Sequence, residues 1–424
     1  MRSVTLWGAI LILVFSSTPM RADEAPHARA YLDQLKARLD LIQADMPTIT
    51  KAAEAAAKAI VNGHDFGVTG DRGLANELSN RAGAMMGYNG LVSYPVRQGD
   101  VLLHVIGLER PGGWGMDGVI ITQTEGLRQI KFQGPVLIGL GSSSQLRAIN
   151  QLEKAQMHCD VWLDNHAEPH SEDELAPMQT VLNAAVAWTF QCEVFAALTR
   201  LEKVPTVRQG FEIDTRHRRW KYYGSQRFHH DRWLDPISPG KLGGDYLQNL
   251  HKVLDDIGSA SWKQLTRTAN RVEQTMDTGL TVWLRPGGRY LPHHVGGWLA
   301  NDPDLFKLLT HDGSDPALPA PGKYDYVIAV GRHETAGSHE WGEPELLRQA
   351  GRGVTWIVNG YNTQPHDLHR NETLIDLWGP VGDCVVKVEN YDTRLGPVSG
   401  ITSEAVLWMI AAEIQGRQAE RAEN

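Results

Sequence analysis

Glu77 and Arg81 stand four residues apart in the stretch GVTGDRGLANELSNRAG, Gly67 to Gly83, just after a turn holding Gly70, Asp71 and Arg72. A carboxylate there could move a proton alpha to a carbonyl, the step an aldose–ketose interconversion needs. It could equally pair with Arg81 across one helical turn on a solvated face. The glycines allow positive φ and close backbone approach, and the N–H groups that open the following helix could hold an anion. They could also simply turn the chain. Asp71 stands against the anion reading, because a carboxylate beside a phosphate costs several kcal/mol unless Arg72 offsets it.

A second such turn reads GLGSSSQL, where Ser142, Ser143 and Ser144 precede a helical pattern. Three hydroxyls at a helix start can bind an anion or cap the helix. In the second half of the chain, Arg285, Arg289, Arg332 and His333 fall at the two predicted loop positions. Guanidinium groups bind phosphate or carboxylate in bidentate fashion, and the competing reading is solvated loop charge. Glu193 and Glu413 lie inside apolar helical patterns, where a carboxylate needs a partner. Their repetition favours a shared structural role, such as binding a loop amide. Neither the His229–His230 and His293–His294 pairs nor DNHAEPH forms a recognised metal-ligand set. Metal and cofactor are therefore expected to be none. GLGSSS also lacks the GxSxG spacing of a hydrolase elbow.

The elements that must position these residues are legible as a duplication. YLDQLKARLDLI from Tyr31 matches YLQNLHKVLDDI from Tyr246, with Tyr, Leu and Ile at the same three- and four-residue spacing. Pro177, Ala185, Trp188 and Glu193 match Pro397, Ala405, Trp408 and Glu413 in two closing apolar helices. Between them, DVWLDN resembles VTWIVN. Short apolar runs alternate with helical patterns, which predicts an α/β chain with mostly parallel sheets covered on both faces. In the first half the predicted strands include DFGVTG, DVLLHVIG, GVIITQ, PVLIGLG and DVWLDN, with a helix from Leu74 to Met86. In the second half they are LTVWLRP, YDYVIAVG, VTWIVNG and CVVKVEN, with a helix over Pro344 to Ala350. The expected domains span 24–232 and 244–424, with a Pro- and Gly-rich linker at 233–243.

Composition limits the partners. The formal net charge is −9, which argues against nucleic acid, since phosphate neutralisation needs a basic surface. Residues 1–22 read as a signal peptide: Arg2, then an uncharged and mostly apolar stretch from Val4 to Ser17 that is short for a membrane span. An uncleaved N-terminal anchor is the competing reading. No later segment is long and apolar enough to span, so the mature chain is expected to lack an integral membrane segment and to be exported. Cys159, Cys192 and Cys384 are far apart and odd in number, so buried thiols are expected over a bridge.

The two helix matches, the Gly turn with its LANELSNRAG helix and the strand–GSSS–helix segment together resemble the sugar isomerase (SIS) domain. That family is a three-layer α/β/α, nucleotide-fold-like unit that binds phosphosugars. The resemblance covers most of 24–230 and, less closely, 244–418. It implies two tandem SIS-like domains packed as a pseudo-dimer. It further implies that Glu77 matches the acid/base of some family isomerases, and that Gly70, Asp71, Arg72 and Arg81 belong to the first loop and its helix. Ser142 to Ser144 match the second loop, which holds phosphate. Asp71 stands where the family has Ser. The second half departs further, since LRPGGRYLPHHVGG has no counterpart of the Glu-bearing helix and Arg332 and His333 replace serine. The implied partner is a sugar derivative or phosphosugar, with isomerase activity or a non-catalytic scaffold as alternatives. Homo-oligomerisation is left open.

Overall fold

The structure is a computed structural model that describes residues 25–86, 88–91, 96–106, 134–152, 159–167, 177–208, 227–286, 305–309, 325–331, 351–359, 368–380 and 383–423. The first half runs α1 (Pro26–Ala44), α2 (Met46–Val61), β1 (Phe66–Thr69), α3 (Arg72–Asn80), β2 (Tyr88–Leu91), β3 (Val101–Val105), β4 (Val136–Gly141), α4 (Ser143–Leu152), β5 (Val161–Asp164) and α5 (Gln179–Arg200). The second runs α6 (Lys241–Ala260), α7 (Trp262–Met276), β6 (Val282–Pro286), β7 (Lys307–Leu308), β8 (Tyr326–Gly331), β9 (Gly353–Val358), β10 (Glu372–Asp376), β11 (Cys384–Val386), β12 (Leu395–Pro397) and α8 (Ser399–Glu423).

Each half builds a five-stranded parallel sheet. The orders are β2-β1-β3-β4-β5 and β7-β6-β8-β9-β10, which is one topology used twice. Strands buried on both faces read as continuous apolar runs, as β3 and β8 do: every residue of both is buried. The inner faces of both sheets and the long helices share one hydrophobic core across the two halves. Contrary to the sequence expectation, one later segment, helix α5, is long and apolar enough to cross a membrane, yet its apolar stretch is buried throughout inside the fold. None of the three cysteines forms a disulfide; Cys192 and Cys384 are buried and Cys159 is half-buried.

The halves exchange their first helices. Helix α1 packs on α8, the closing helix of the other half, and α6 packs on α5. The matched residues explain why. Glu413 accepts from the backbone N–H of His27 at 3.0 Å and of Ala28 at 3.1 Å, at the start of α1. Glu193 accepts from Gly240 and Gly243, both at 2.8 Å, at the start of α6. Each buried glutamate therefore satisfies orphan amides and the positive dipole end of the other half's first helix. The Tyr31 hydroxyl donates to the Pro177 carbonyl at 3.4 Å, and the Tyr246 hydroxyl to the Pro397 carbonyl at 3.1 Å. We expect Glu193→Ala or Glu413→Ala to cost about 2–3 kcal/mol by stranding buried amides. Urea unfolding measures this, and an unchanged midpoint in both variants would mean that the exchange does not depend on these caps.

Several elements differ from the sequence reading. CVVKVEN does not join the second sheet: β11 pairs antiparallel with β12 in a separate ribbon. The edge strand is β10, ETLID, whose charged ends and short apolar run hide it. The helix after the Gly turn ends at Asn80, because Arg81 turns extended at φ −82° and ψ 157°, and the strand β2 follows. Helix α6 begins at Lys241, inside the expected linker. DVWLDN and VTWIVN are β5 and β9, the fifth strand of one half and the fourth of the other, so that match is not between equivalent strands. GVIITQ and the helix over 344–350 lie outside the described residues.

Candidate functional site

In a sheet of this order the chain direction switches between β1 and β3, and a crevice opens beyond their C-terminal ends. Strand β1 leads directly into Gly70, whose φ of 92° and closeness to β3 leave no room for a side chain: a Cβ would overlap the Val105 carbonyl. Asp71 follows as the cap of α3, its Oδ1 accepting from the Leu74 N–H at 2.9 Å. The position at which this helix start could hold an anion is thus filled by the protein's own carboxylate. Arg72 is the first residue of α3.

Glu77 and Arg81 pair as the spacing predicts, at 3.2 Å between Oε1 and Nε, but not on a solvated face. They are 1% and 5% exposed. Arg81 Nη2 also donates to Asp383 Oδ2 and, at 2.8 Å, to Ser399 Oγ. Asp383 Oδ1 in turn accepts from the Ser399 N–H at 2.8 Å and the Val398 N–H at 3.3 Å, capping α8. Gly400 lies so close to Glu77 that a Cβ would overlap Oε1. One turn further, Thr180 at the start of α5 donates to Glu404 Oε1. Burial pushes the Glu404 carboxyl well above its usual range, and the Asp71 and Glu77 carboxylates push the same way against a hydrogen bond from Trp408. The helix that bears Glu77 is therefore closed off by the first turn of α8, while α5 meets it further along, where Gln191 Nε2 donates to the Leu78 carbonyl at 3.4 Å.

The GSSS turn is a helix cap. Ser142 N–H donates to Gln145 Oε1 at 2.9 Å and Gln145 N–H to Ser142 Oγ at 3.3 Å, a reciprocal capping box. Ser142 Oγ also meets Ser144 Oγ at 2.7 Å, and Ser143 donates to Asp164 at the end of β5. Gln179 and Asn183, at the start of α5, donate to the Ile106 carbonyl beyond β3 at 3.0 and 2.9 Å. In the second half Arg285 is buried on β6, and burial lowers its pKa. Arg289, Arg332 and His333 lie outside the described residues. Among the described residues, no three His, Cys, Asp or Glu side chains gather to hold a metal.

Sequence reading singled out none of Asp383, Ser399, Glu404, Thr180 and His104 as site residues. The Arg81 partners lie some three hundred residues away in the chain, with no local spacing to betray them. His104 had a usable signal, an imidazole inside the apolar run DVLLHVIG.

A duplicated turn fixes which strands correspond. Asp164 Oδ1 accepts from the His166 N–H at 2.8 Å, and Asp376 Oδ1 from the Trp378 N–H at 2.8 Å. His166 and Trp378 both adopt positive φ, 54° and 52°. So β5 corresponds to β10, β4 to β9 and β3 to β8. The GSSS turn after β4 then corresponds to Asn359, while Arg332 and His333 follow β8, the counterpart of β3. The two expected second loops occupy different positions in the repeated unit.

Two doubly wound parallel sheets joined through exchanged first helices define a tandem SIS-like α/β fold. Among solved structures, the chain is similar to the C-terminal domain of glucosamine-fructose-6-phosphate aminotransferase from Francisella tularensis, with a TM-score of 0.51 and 8% identity over 90% of this chain and 96% of that one. It is also similar to a protein from Salmonella typhimurium LT2 named for sugar binding, with a TM-score of 0.48 and 9% identity over 91% and 99% of the two chains. No family model and no curated protein sequence matches the chain.

Proposed function

We propose that the protein binds a sugar derivative in the crevice beyond β1 and β3, prefers ligands without phosphate there, and does not isomerise them. The fold it shares with a protein named for a sugar phosphate supports the ligand class. One observation carries the preference: Asp71 already occupies the α3 start that a phosphate would use. The absence of isomerisation follows from Glu77, whose carboxylate is buried against Gly400 and committed to Arg81. The leader-like residues 1–22 would deliver this binding activity outside the cytoplasm, where phosphosugars are scarce. N-terminal sequencing of the secreted or periplasmic protein tests that point.

The binding test is a thermal-shift panel of glucose, fructose, glucosamine, their 6-phosphates and glucose 6-sulfate. We expect an unphosphorylated member to stabilise the protein more than its 6-phosphate. Asp71→Ser keeps a capping hydroxyl but removes the charge. It should raise affinity for the 6-phosphate about tenfold, equivalent to about 1.4 kcal/mol, and leave the parent sugar unchanged. If no panel member raises the melting temperature, the chain is instead a scaffold that keeps the fold without a ligand.

A further inference from the structure

His104 lies on β3, one residue short of its end. The residue is 4% exposed, and among the described residues neither Nδ1 nor Nε2 has a hydrogen-bond partner. Burial lowers its pKa to about 4, so the ring is neutral at physiological pH. Thr69 stands directly opposite on β1 and leads straight into the Gly70–Asp71 turn. The imidazole therefore stands on the sheet face that carries Leu102, on one of the two paired strands that flank the switch point and within a residue of both C-terminal ends. On its other side is Gly139, where a Cβ would come within 2.6 Å of the Trp162 ring and 2.8 Å of Cys159 Sγ. One step down the same face, Leu102 packs on Leu137.

The second half repeats the pattern with different residues. Its equivalent row is Arg285, Ala329 and Trp356. Each half thus puts one large, buried polar group into this row at its switch point, on β3 in the first half and on β6 in the second. A buried polar group without a partner is unfavourable compared with an apolar residue of its size. Leu would fill the His104 position without that penalty, so the ring nitrogens, which have no partner among the described residues, call for one that a ligand can supply.

We infer that His104 is a ligand-contacting residue of the first half, bonding a hydroxyl of a sugar seated at the C-terminal ends of β1 and β3. A neutral imidazole offers one donor and one acceptor, and a hydroxyl group is matched to both. This inference rests on the binding function proposed above.

The test compares wild type with His104→Leu and His104→Gln, using fructose, glucosamine and their 6-phosphates as probes in calorimetry. The leucine variant should melt about 2–4 °C higher without ligand, since it removes an orphaned polar group. It should also lose at least tenfold in affinity for the probe that binds wild type best, with the glutamine variant losing less. Undiminished binding by the leucine variant overturns the inference and leaves the binding function standing. Failure of wild type to bind any probe removes the binding function and the inference with it. If the leucine variant does not fold, nitrogen-15 spectra of the histidine rings in wild type decide: a probe that saturates the protein must shift the His104 nitrogens, and unmoved resonances overturn the inference.

Discussion

Arg81→Met should destabilise the protein by about 3–5 kcal/mol, the cost of leaving buried carboxylates without their counter-ion. Arg81, just past the end of α3, is nearly fully buried between Glu77 on that helix and Asp383 in the other half, and it also donates to Ser399 at 2.8 Å. Methionine keeps much of the side-chain length but none of the charge. Glu77 and Asp383 would then face each other's charge in a water-poor site, with Asp71 and Glu404 close by. Part of the loss should return as pH falls, because protonating a carboxylate relieves the imbalance. Urea unfolding at pH 7.5 and pH 5.5 measures both effects. A loss below about 1 kcal/mol at pH 7.5 would mean that water reaches the network, since exposed ion pairs contribute only that much. Glu77→Gln makes a useful contrast, since it leaves Arg81 its bond to Asp383 and should cost less. The same variant addresses activity: if an isomerase assay detected turnover that Glu77→Gln abolished, the non-catalytic reading would be wrong.

Acid should weaken the fold through His104. Its folded-state pKa of about 4 lies below the ordinary imidazole value of 6.5, because burial disfavours the charged ring. Above pH 6.5 the ring is neutral in both folded and unfolded chains, and this contribution to stability is fully present. As pH falls through 6.5 the unfolded chain takes up a proton that the fold refuses, and stability drops until the folded ring also titrates near pH 4. The total loss over that window is about 3 kcal/mol. His104→Leu should remove this part of the pH dependence, so the difference in unfolding free energy between variant and wild type should widen steadily from pH 7 to pH 4.5. A constant difference across that range would show that the imidazole is solvated or already protonated at neutral pH. Carboxylates titrate in the same range in both proteins, which is why the comparison is made between variants and not within one.

The repeated residues settled more than the loops did. Tyr31 and Tyr246, Pro177 and Pro397, Glu193 and Glu413 were recognisable as pairs from spacing alone. The structure uses each pair the same way, tying the first helices to the closing helices. Such positions are legible because a helix repeats every three or four residues and a buried carboxylate inside it demands a partner. The DVWLDN match failed for the opposite reason. Short buried strands all read as apolar runs ending in a polar residue, so nothing local distinguishes a fifth strand from a fourth. Only register, anchored by the two Asp-capped turns at His166 and Trp378, separates them.

The Gly turn shows the same division at the candidate site. That a strand, a turn needing glycine and a helix with paired Glu77 and Arg81 follow one another was legible from the residues alone, because those depend on neighbours in the chain. The residues also raised the right question about Asp71. Folding in three dimensions settled that Arg81 reaches Asp383 and Ser399 and that the helix bearing Glu77 is closed off by the other half. Whether a charged side chain is solvated, paired or buried depends on what packs against it, and here those partners come from the far end of the chain.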